Sequence, residues 1–229
     1  MATVSRVEDG KQEPSAESYL RLLRAAGFFD DGERIVPLSR PSAVWTARWL
    51  LGDLDDEPDQ ASEWVSAWQR LGLVTDDLDV PDVEELAHRA GCSAALVTRP
   101  RIVTALSSWL VPQIAERLDE AGVDYAVTGD EALERLGSMI IPTWPVLYVH
   151  DLRAALTATG FTPRLAGERG GHQVSFLPFD GTSETGRVRT DDGIWWVSAL
   201  QAVLDGYSGY GRMTEQAQYL VELWESEKQ

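Results

Sequence analysis

The sequence predicts an α/β protein (α+β overall) in which a helical first half precedes a mixed second half. In residues 1–110, apolar positions recur with a helical period, and turns containing glycine or proline separate the segments. Residues 111–229 alternate short apolar runs, typical of strands, with amphipathic helical segments. A chain of 229 residues with 44% hydrophobic residues can bury a substantial core in one or two domains. We therefore predict a helical domain over residues 1–110 and an α/β domain over residues 111–229.

The helices of the first half are predicted by their apolar faces and by the residues that end them. Pro41 opens one of these helices and Gly52 follows it. Another carries Trp64 and Trp68 one turn apart on the same face, where we expect them to belong to the core. The predicted helices span residues 15–26, 41–51 and 59–71, and two short strands are predicted at residues 28–29 and 35–36.

The second half contains the signals of a sheet covered by helices. Strands are predicted at residues 125–127, 146–149, 174–177, 187–190 and 194–197, and helices at residues 130–136, 152–159, about 199–204 and 213–226. Trp195 and Trp196 are neighbours in the last strand, so their side chains should point to opposite faces. We expect at least one of them to be buried against the two terminal helices.

Cysteine content and hydropathy exclude several protein classes. Cys92 is the only cysteine, which excludes an internal disulfide and a cysteine-rich zinc site. No apolar run approaches the ~18 residues of a membrane-spanning helix, and the polar N-terminus lacks the apolar region of a signal peptide. These features predict a cytoplasmic protein without a membrane partner.

The charge balance argues against a nucleic-acid partner. The formal net charge is −17, and neither half of the chain has an excess of basic residues. Because contacts to phosphate dominate the affinity for DNA, DNA-binding domains usually carry a basic surface. Acidic side chains are concentrated in residues 53–59 and 76–79, which we interpret as solvated loops.

One segment nevertheless resembles a helix-turn-helix. Ala87, Gly91 and Val97 stand where this motif places a small residue at the helix contact, a glycine in the turn and an apolar anchor in the second helix. Ser93 then caps the second helix, whose exposed side faces the DNA groove. The candidate DNA-binding residues are Ser93, Ala94, Thr98, Arg99 and Arg101.

Pro100 supports a different interpretation of the same segment. A proline disfavours helical dihedral angles at the residue before it, so the second helix would end early, at Arg99. In this alternative, residues 94–98 form a strand or loop and Pro100 opens a helix that runs to Leu110. The sequence leaves both interpretations open.

Several segments of the second half resemble a known family when taken in order. Residues 125–129 are similar to a Tyr-Ala-Leu-Thr-Gly strand end, residues 169–174 and 177–180 to Arg-Gly-Gly-Asn-Val and Leu-Pro-Tyr-Asp segments, and residues 197–205 to a Val-Ser-Pro-Val-Gln…Asp segment. With this order and spacing, roughly residues 120–226 resemble the C-terminal domain of AbiEi-type abortive-infection antitoxins. Ala199 replaces the family's proline, Gln173 its asparagine, and Tyr210 the arginine of its Gly-Arg-Gly turn.

The resemblance has consequences for fold and partners. It implies a nucleotidyltransferase-like fold for residues 111–229 and a winged helix-turn-helix DNA-binding domain ahead of it. It also implies two partners, operator DNA and a cognate nucleotidyltransferase-like toxin encoded nearby, and a role in phage defence.

The residues themselves do not form a nucleotidyltransferase active site. Nucleotidyl transfer needs a Gly-Ser step that holds the triphosphate and two carboxylates, two positions apart, that hold divalent metals. Gly129 is followed by Asp130, and Asp151 has no carboxylate two positions away. The histidines at positions 88, 150 and 172 lack the spacing of paired metal ligands. We therefore expect no catalytic residue, no metal site and no cofactor.

Two functions are consistent with these observations. The first is an antitoxin-like transcriptional regulator that binds DNA, represses its own operon and carries a non-catalytic nucleotidyltransferase-like domain. The alternative is an acidic protein-interaction module without DNA binding, and a nucleotidyltransferase ranks third.

Overall fold

The computed structural model describes residues 15–25, 28–30, 35–37, 40–96, 103–163, 173–209 and 211–227. The chain divides into two compact units, residues 1–38 and residues 39–229. This division differs from the predicted boundary at 110/111, because residues 40–96 pack together with the C-terminal helices. In the first unit, helix α1 (Ala16–Ala25) precedes an antiparallel strand pair, β1 (Phe28–Asp30) and β2 (Ile35–Pro37), as the sequence predicts.

The second unit is a mixed α/β structure built on a six-stranded sheet. Its strands are β3 (Val103–Leu106), β4 (Tyr125–Thr128), β5 (Val146–Val149), β6 (Gln173–Pro178), β7 (Val188–Arg189) and β8 (Trp195–Trp196). They lie in the order β3-β6-β5-β4-β8-β7, with β5/β6 and β4/β8 parallel and the other pairs antiparallel. The predicted strands of the second half are confirmed.

Two groups of helices contact this sheet. All residues of β4 and β5 are buried, which means that both faces of these central strands are covered. The helices of this unit are α2 (Pro41–Leu50), α3 (Ala61–Arg70), α4 (Val83–Ala94), α5 (Val111–Glu120), α6 (Asp130–Arg135), α7 (Leu152–Thr159), α8 (Ala199–Gly206) and α9 (Met213–Glu227). Helices α5 and α7 pack against each other and against the sheet, while α6 and α8 contact β4 and also pack with α9.

Tryptophans occupy the core as the sequence predicts. Trp68 of α3 is buried, and Trp64 packs beside it with the ring centroids 5.5 Å apart. In β8, Trp196 is buried and Trp195 is half-buried. The prediction that at least one tryptophan of this strand is buried is confirmed.

Helix α4 corrects the predicted turn at Gly91. It is continuous from Val83 to Ala94, caps its N-terminus with the Asp82 carboxylate and ends in a left-handed residue at Ala95. Gly91 lies inside this helix, where an added Cβ would come within 2.5 Å of the Leu204 carbonyl oxygen and 2.7 Å of the Tyr207 Cβ. The glycine therefore permits close approach of α4 to α8, and the predicted turn is wrong.

The alternative interpretation of this segment is partly correct, because Ala95 and Leu96 lie in the loop after α4, but its second part is wrong. The predicted helix from Pro100 to Leu110 is replaced by strand β3 over Val103–Leu106. This strand pairs antiparallel with β6 and forms one edge of the sheet, so its backbone bonds are taken by sheet pairing. None of the described helices is both long enough and apolar enough to cross a membrane.

Candidate functional site

A buried arginine joins α2 to the C-terminal part of the second unit. The Arg48 side chain has no exposed surface, and its Nε donates to Asp53 Oδ2 at 2.5 Å. The guanidinium also donates to the carbonyl oxygens of Thr182 and Thr185 at 2.6 and 2.8 Å and to Gln201 Oε1 at 3.1 Å. A buried charge is tolerated only when it is paired and hydrogen-bonded, and these four contacts meet that condition.

A buried aspartate extends this polar network to the central strands. Asp205 on α8 accepts hydrogen bonds from Thr128 Oγ1 at 2.7 Å, Tyr148 OH at 3.0 Å and Gln201 Nε2 at 3.0 Å. Gln201 therefore bonds both to Arg48 and to Asp205. The network fixes α8 on β4 and β5, and its polar atoms lie inside the fold.

The Gly129-Asp130 step follows directly after the end of β4. Gly129 has φ +73°, and Asp130, which follows it, is 4% exposed. The Asp130 Oδ2 accepts from the backbone N–H of Thr143 at 2.7 Å, from the N–H of Trp144 at 3.2 Å and from Thr143 Oγ1 at 3.3 Å. This carboxylate holds the loop between α6 and β5 against the end of the strand.

An apolar pocket of about 340 Å³ opens beside this loop. Met139 and Ile141 are 85% and 82% exposed, which is unusual for large apolar side chains. Gln216 of α9 accepts from the Met139 N–H at 2.9 Å and so connects the loop to the last helix. The pocket is lined by Asp130, Met139, Ile140, Ile141, Thr143, Trp144, Val146, Gly211, Arg212, Met213 and Gln216.

Two carboxylates at opposite ends of the central strands have shifted pKa values, Glu131 beyond the end of β4 and Asp151 beyond the end of the antiparallel β5. Burial is the main reason that the pKa of Glu131 rises to about 7, and the charges of Asp130 and Glu134 add to the effect. The pKa of Asp151 is lowered, because its carboxylate accepts from the backbone N–H groups of Ala154 and Arg153 as the N-cap of α7. Asp151 therefore serves as a helix cap, and Asp130 as a loop clamp.

The predicted DNA-binding residues are only partly described. Ser93 lies in the last turn of α4 and donates its hydroxyl to the Arg89 carbonyl oxygen at 3.2 Å, so its assignment as the N-cap of a second helix is wrong. Ala94 is fully buried and cannot reach a DNA groove. Thr98, Arg99 and Arg101 lie outside the described residues. Of the five candidates, the structure thus describes two, and both Ser93 and Ala94 lie at the end of α4 and not on a second helix.

A thiol and an imidazole meet on the outer face of α4. Cys92 Sγ lies 3.5 Å from His88 Nε2, and burial together with the nearby Glu85 raises the pKa of the thiol. A raised pKa lowers the thiolate fraction and hence the reactivity of the sulfur. Within the described ranges, no group of three or more histidine, cysteine, aspartate or glutamate side chains can hold a metal ion.

Sequence reasoning missed the buried network. Arg48 follows Ala47 inside an amphipathic helix, where an arginine usually indicates a solvated face. Asp205 gave a weak signal, since it follows the apolar run Val203-Leu204 directly. Neither residue has a spacing motif that distinguishes a buried ion from a surface charge.

Comparison with known proteins gives no relative for this chain. No family model matches it, and neither a curated protein nor a solved structure is significantly similar.

Proposed function

We propose that this protein is an antitoxin-like protein that acts by binding another protein and not by catalysis. The proposal combines the resemblance of residues 120–226 to AbiEi-type antitoxins with the structural roles of Asp130 and Asp151, which lie at opposite ends of the sheet. Its partner in this proposal is a nucleotidyltransferase-like toxin encoded nearby.

The role of Asp130 is the observation that carries the proposal. A metal-dependent transferase keeps its carboxylates open toward the metal and the substrate. Here the Asp130 Oδ2 accepts from two backbone N–H groups and a hydroxyl of the same loop. Asp151 accepts from the backbone N–H groups of Arg153 and Ala154 as a helix cap, and it does not form a metal-binding pair with Asp130. Both carboxylates therefore have structural roles, Asp130 in holding a loop and Asp151 in capping a helix.

The continuous helix α4 favours a protein partner over operator DNA. The helix-turn-helix interpretation required a turn at Gly91, and this glycine instead lies at the contact between α4 and α8. The net charge of −17 also opposes binding to a polyanion. DNA binding with repression of the protein's own operon is therefore the less supported alternative.

The absence of catalysis is tested with the purified protein. Incubation with each of the four nucleoside triphosphates, magnesium, and tRNA or protein acceptors should give no transfer above background. Asp151→Asn is the matched variant, because it changes an exposed cap without disturbing the core. Labelling by the wild type that Asp151→Asn or Asp130→Asn abolishes would contradict the proposal.

Antagonism is tested by co-expression with the neighbouring toxin. We expect the wild type to restore growth, and Asp151→Asn to restore it equally, since binding does not require that carboxylate. A stable complex should elute from size exclusion at the summed mass. Failure of the wild type to restore growth, combined with a salt-dependent mobility shift on the upstream DNA, would favour the DNA-binding regulator instead.

A further inference from the structure

A second apolar depression lies on the far end of α8 from Asp205. It is a groove of about 280 Å³ between the C-terminal end of α2, the N-terminal ends of α4 and α8, and the C-terminal part of α9. Its lining, which we call the α8–α9 groove, consists of Leu51, Gly52, Asp53, Val83, Ala199, Leu200 and Trp224.

The floor of the groove is apolar and partly open. Leu51, Val83, Leu200 and Trp224 all pack against the core, and all four remain half-buried and not fully covered. Each leaves apolar surface in contact with solvent, and a partner that covered this surface would gain free energy by removing it from water. Tryptophan is also the side chain most often found at the energetic centre of protein interfaces.

The surroundings of the groove carry one sign of charge. Residues 49–63, 82–87, 198–209 and 216–227, which build and border the groove, contain no lysine, arginine or histidine. The nearby Arg48 has no exposed surface and is paired with Asp53. Apart from the buried Asp205, the acidic residues of these segments are Asp53, Asp55, Asp56, Glu57, Asp59, Glu63, Asp82, Glu84, Glu85, Glu222, Glu225 and Glu227.

Several of these carboxylates lie close to the lining residues along the chain, and we call them the rim. Asp55 and Asp56 are exposed and follow shortly after the lining residue Asp53. Glu84 is adjacent to Val83, and Glu225 to Trp224. A low-dielectric floor surrounded by like charges concentrates negative potential at the groove, which attracts cations and repels acidic partners.

We propose that the α8–α9 groove binds a cationic amphipathic helix of the partner protein. The proposal rests on the proposed function and adds the chemistry of the segment that the protein recognises. Apolar residues spaced three or four apart on that helix would cover Trp224 and Leu200. Lysine or arginine residues beside them would meet Asp55, Asp56 and Glu84 at the rim.

The charge pattern selects this occupant over others. A nucleic acid or an acidic peptide would add negative charge to a surface that already carries no exposed basic side chain in the four segments. A helix fits better than a strand, because the four elements that form the groove are all helix ends, and no sheet edge contributes to the lining. A short apolar groove with a charged rim therefore matches the helix-in-groove mode of recognition.

The test uses the full chain and a synthetic peptide as the probe. The peptide has about 18 residues, or five helical turns, with leucine at positions i, i+3, i+4 and i+7 and lysine elsewhere, and it carries a fluorophore. A second peptide replaces each lysine with glutamate. Fluorescence anisotropy should show binding of the lysine peptide, a weaker signal at high salt, and no binding of the glutamate peptide.

Two groove variants and one control locate the site. Asp55→Lys/Asp56→Lys changes only exposed loop residues, and Trp224→Ala removes the aromatic floor. Each should weaken the lysine peptide at least about tenfold. Asp76→Lys/Asp77→Lys makes the same change of net charge in the other exposed acidic loop and should alter the affinity less than about twofold. The unfolding midpoint of Trp224→Ala must be measured alongside, while the loop variant keeps the test valid if the tryptophan variant unfolds.

Four results would overturn the proposal, and the last of them concerns toxin neutralisation. The first is no binding of the lysine peptide at low salt, and the second is an equal loss in the groove and control variants, which would indicate an effect of net charge alone. The third is dimerisation of the chain by itself that the groove variants abolish, which would assign the groove to a second copy. If toxin neutralisation persists in the groove variants, the groove assignment fails while the proposed function stands. If the wild type does not neutralise, the proposed function fails, and the peptide titration still decides the chemistry of the groove.

Discussion

Replacement of Gly91 with alanine should destabilise the protein, although alanine is the better helix former. In an exposed helix interior the substitution gains about 1 kcal/mol from propensity. Here the new Cβ would lie 2.5 Å from the Leu204 carbonyl oxygen and 2.7 Å from the Tyr207 Cβ, and both atoms belong to the packed helix α8 or its end. Forcing extra volume into a packed contact costs about 1–3 kcal/mol, and a 2.5 Å approach to a backbone oxygen belongs to the upper part of that range. After subtraction of the propensity gain of about 1 kcal/mol, we expect a net loss of about 1–2 kcal/mol.

Ser93→Ala distinguishes close helix packing from a helix-turn-helix. If Ser93 capped a second helix, its removal would cost about 1 kcal/mol. In α4 its hydroxyl bonds back to the Arg89 carbonyl oxygen four residues earlier, an interaction that slightly disfavours the helix. We therefore expect the free energy of unfolding of Ser93→Ala to be unchanged or slightly raised. Urea denaturation of both variants at one pH measures the two effects, and a stable Gly91→Ala with a weakened Ser93→Ala would refute the continuous helix.

Four further substitutions test the core and the charge distribution. Tyr148→Phe removes a donor from the buried Asp205 carboxyl and should cost about 1–3 kcal/mol, whereas an unchanged urea midpoint would show that this bond is dispensable. Trp196→Ala should cost about 3–5 kcal/mol, with a smaller loss for the half-buried Trp195→Ala; equal thermal stability of both variants and the wild type would contradict the placement of β8. Between about pH 4.5 and pH 7 folded Glu131 retains a proton that the unfolded chain loses, so its contribution to stability falls as the pH rises through this window. Glu131→Gln should therefore raise the melting temperature at pH 8 and leave it nearly unchanged at pH 4. A larger effect at pH 4 than at pH 8 would contradict a raised pKa for Glu131.

The sequence predicted the elements of the second unit because their signals are local. The strand at residues 146–149 is a short apolar run. The helix at residues 152–159 ends at Gly160, which adopts the left-handed conformation that glycine favours. The candidate site depended on contacts between distant segments and was not predictable in this way. Arg48 reaches residues more than 130 positions away, and no local pattern indicates that a helix arginine will turn inward.

Gly91 explains why the helix-turn-helix prediction failed. A glycine four residues after an alanine satisfies two different packing requirements, a turn with positive φ and a close crossing of helices without a turn. The partner decides between them, and here α8 packs on α4 so closely that only glycine fits. The glycine does lie at a close contact between helices, whereas the turn assigned to it is wrong.

The two exposed acidic loops of the second unit are not equivalent in their surroundings. If the carboxylates existed only to keep the chain soluble, the exposed acidic loops at residues 53–59 and 76–79 would be equivalent. They differ in what lies beside them, since Asp53 lines an apolar groove with Trp224 and is tied by Arg48 and Ser198 to the buried network. The contrast between the two loops is thus a property of the fold, and it predicts that equal charge reversals in them will have unequal effects on binding.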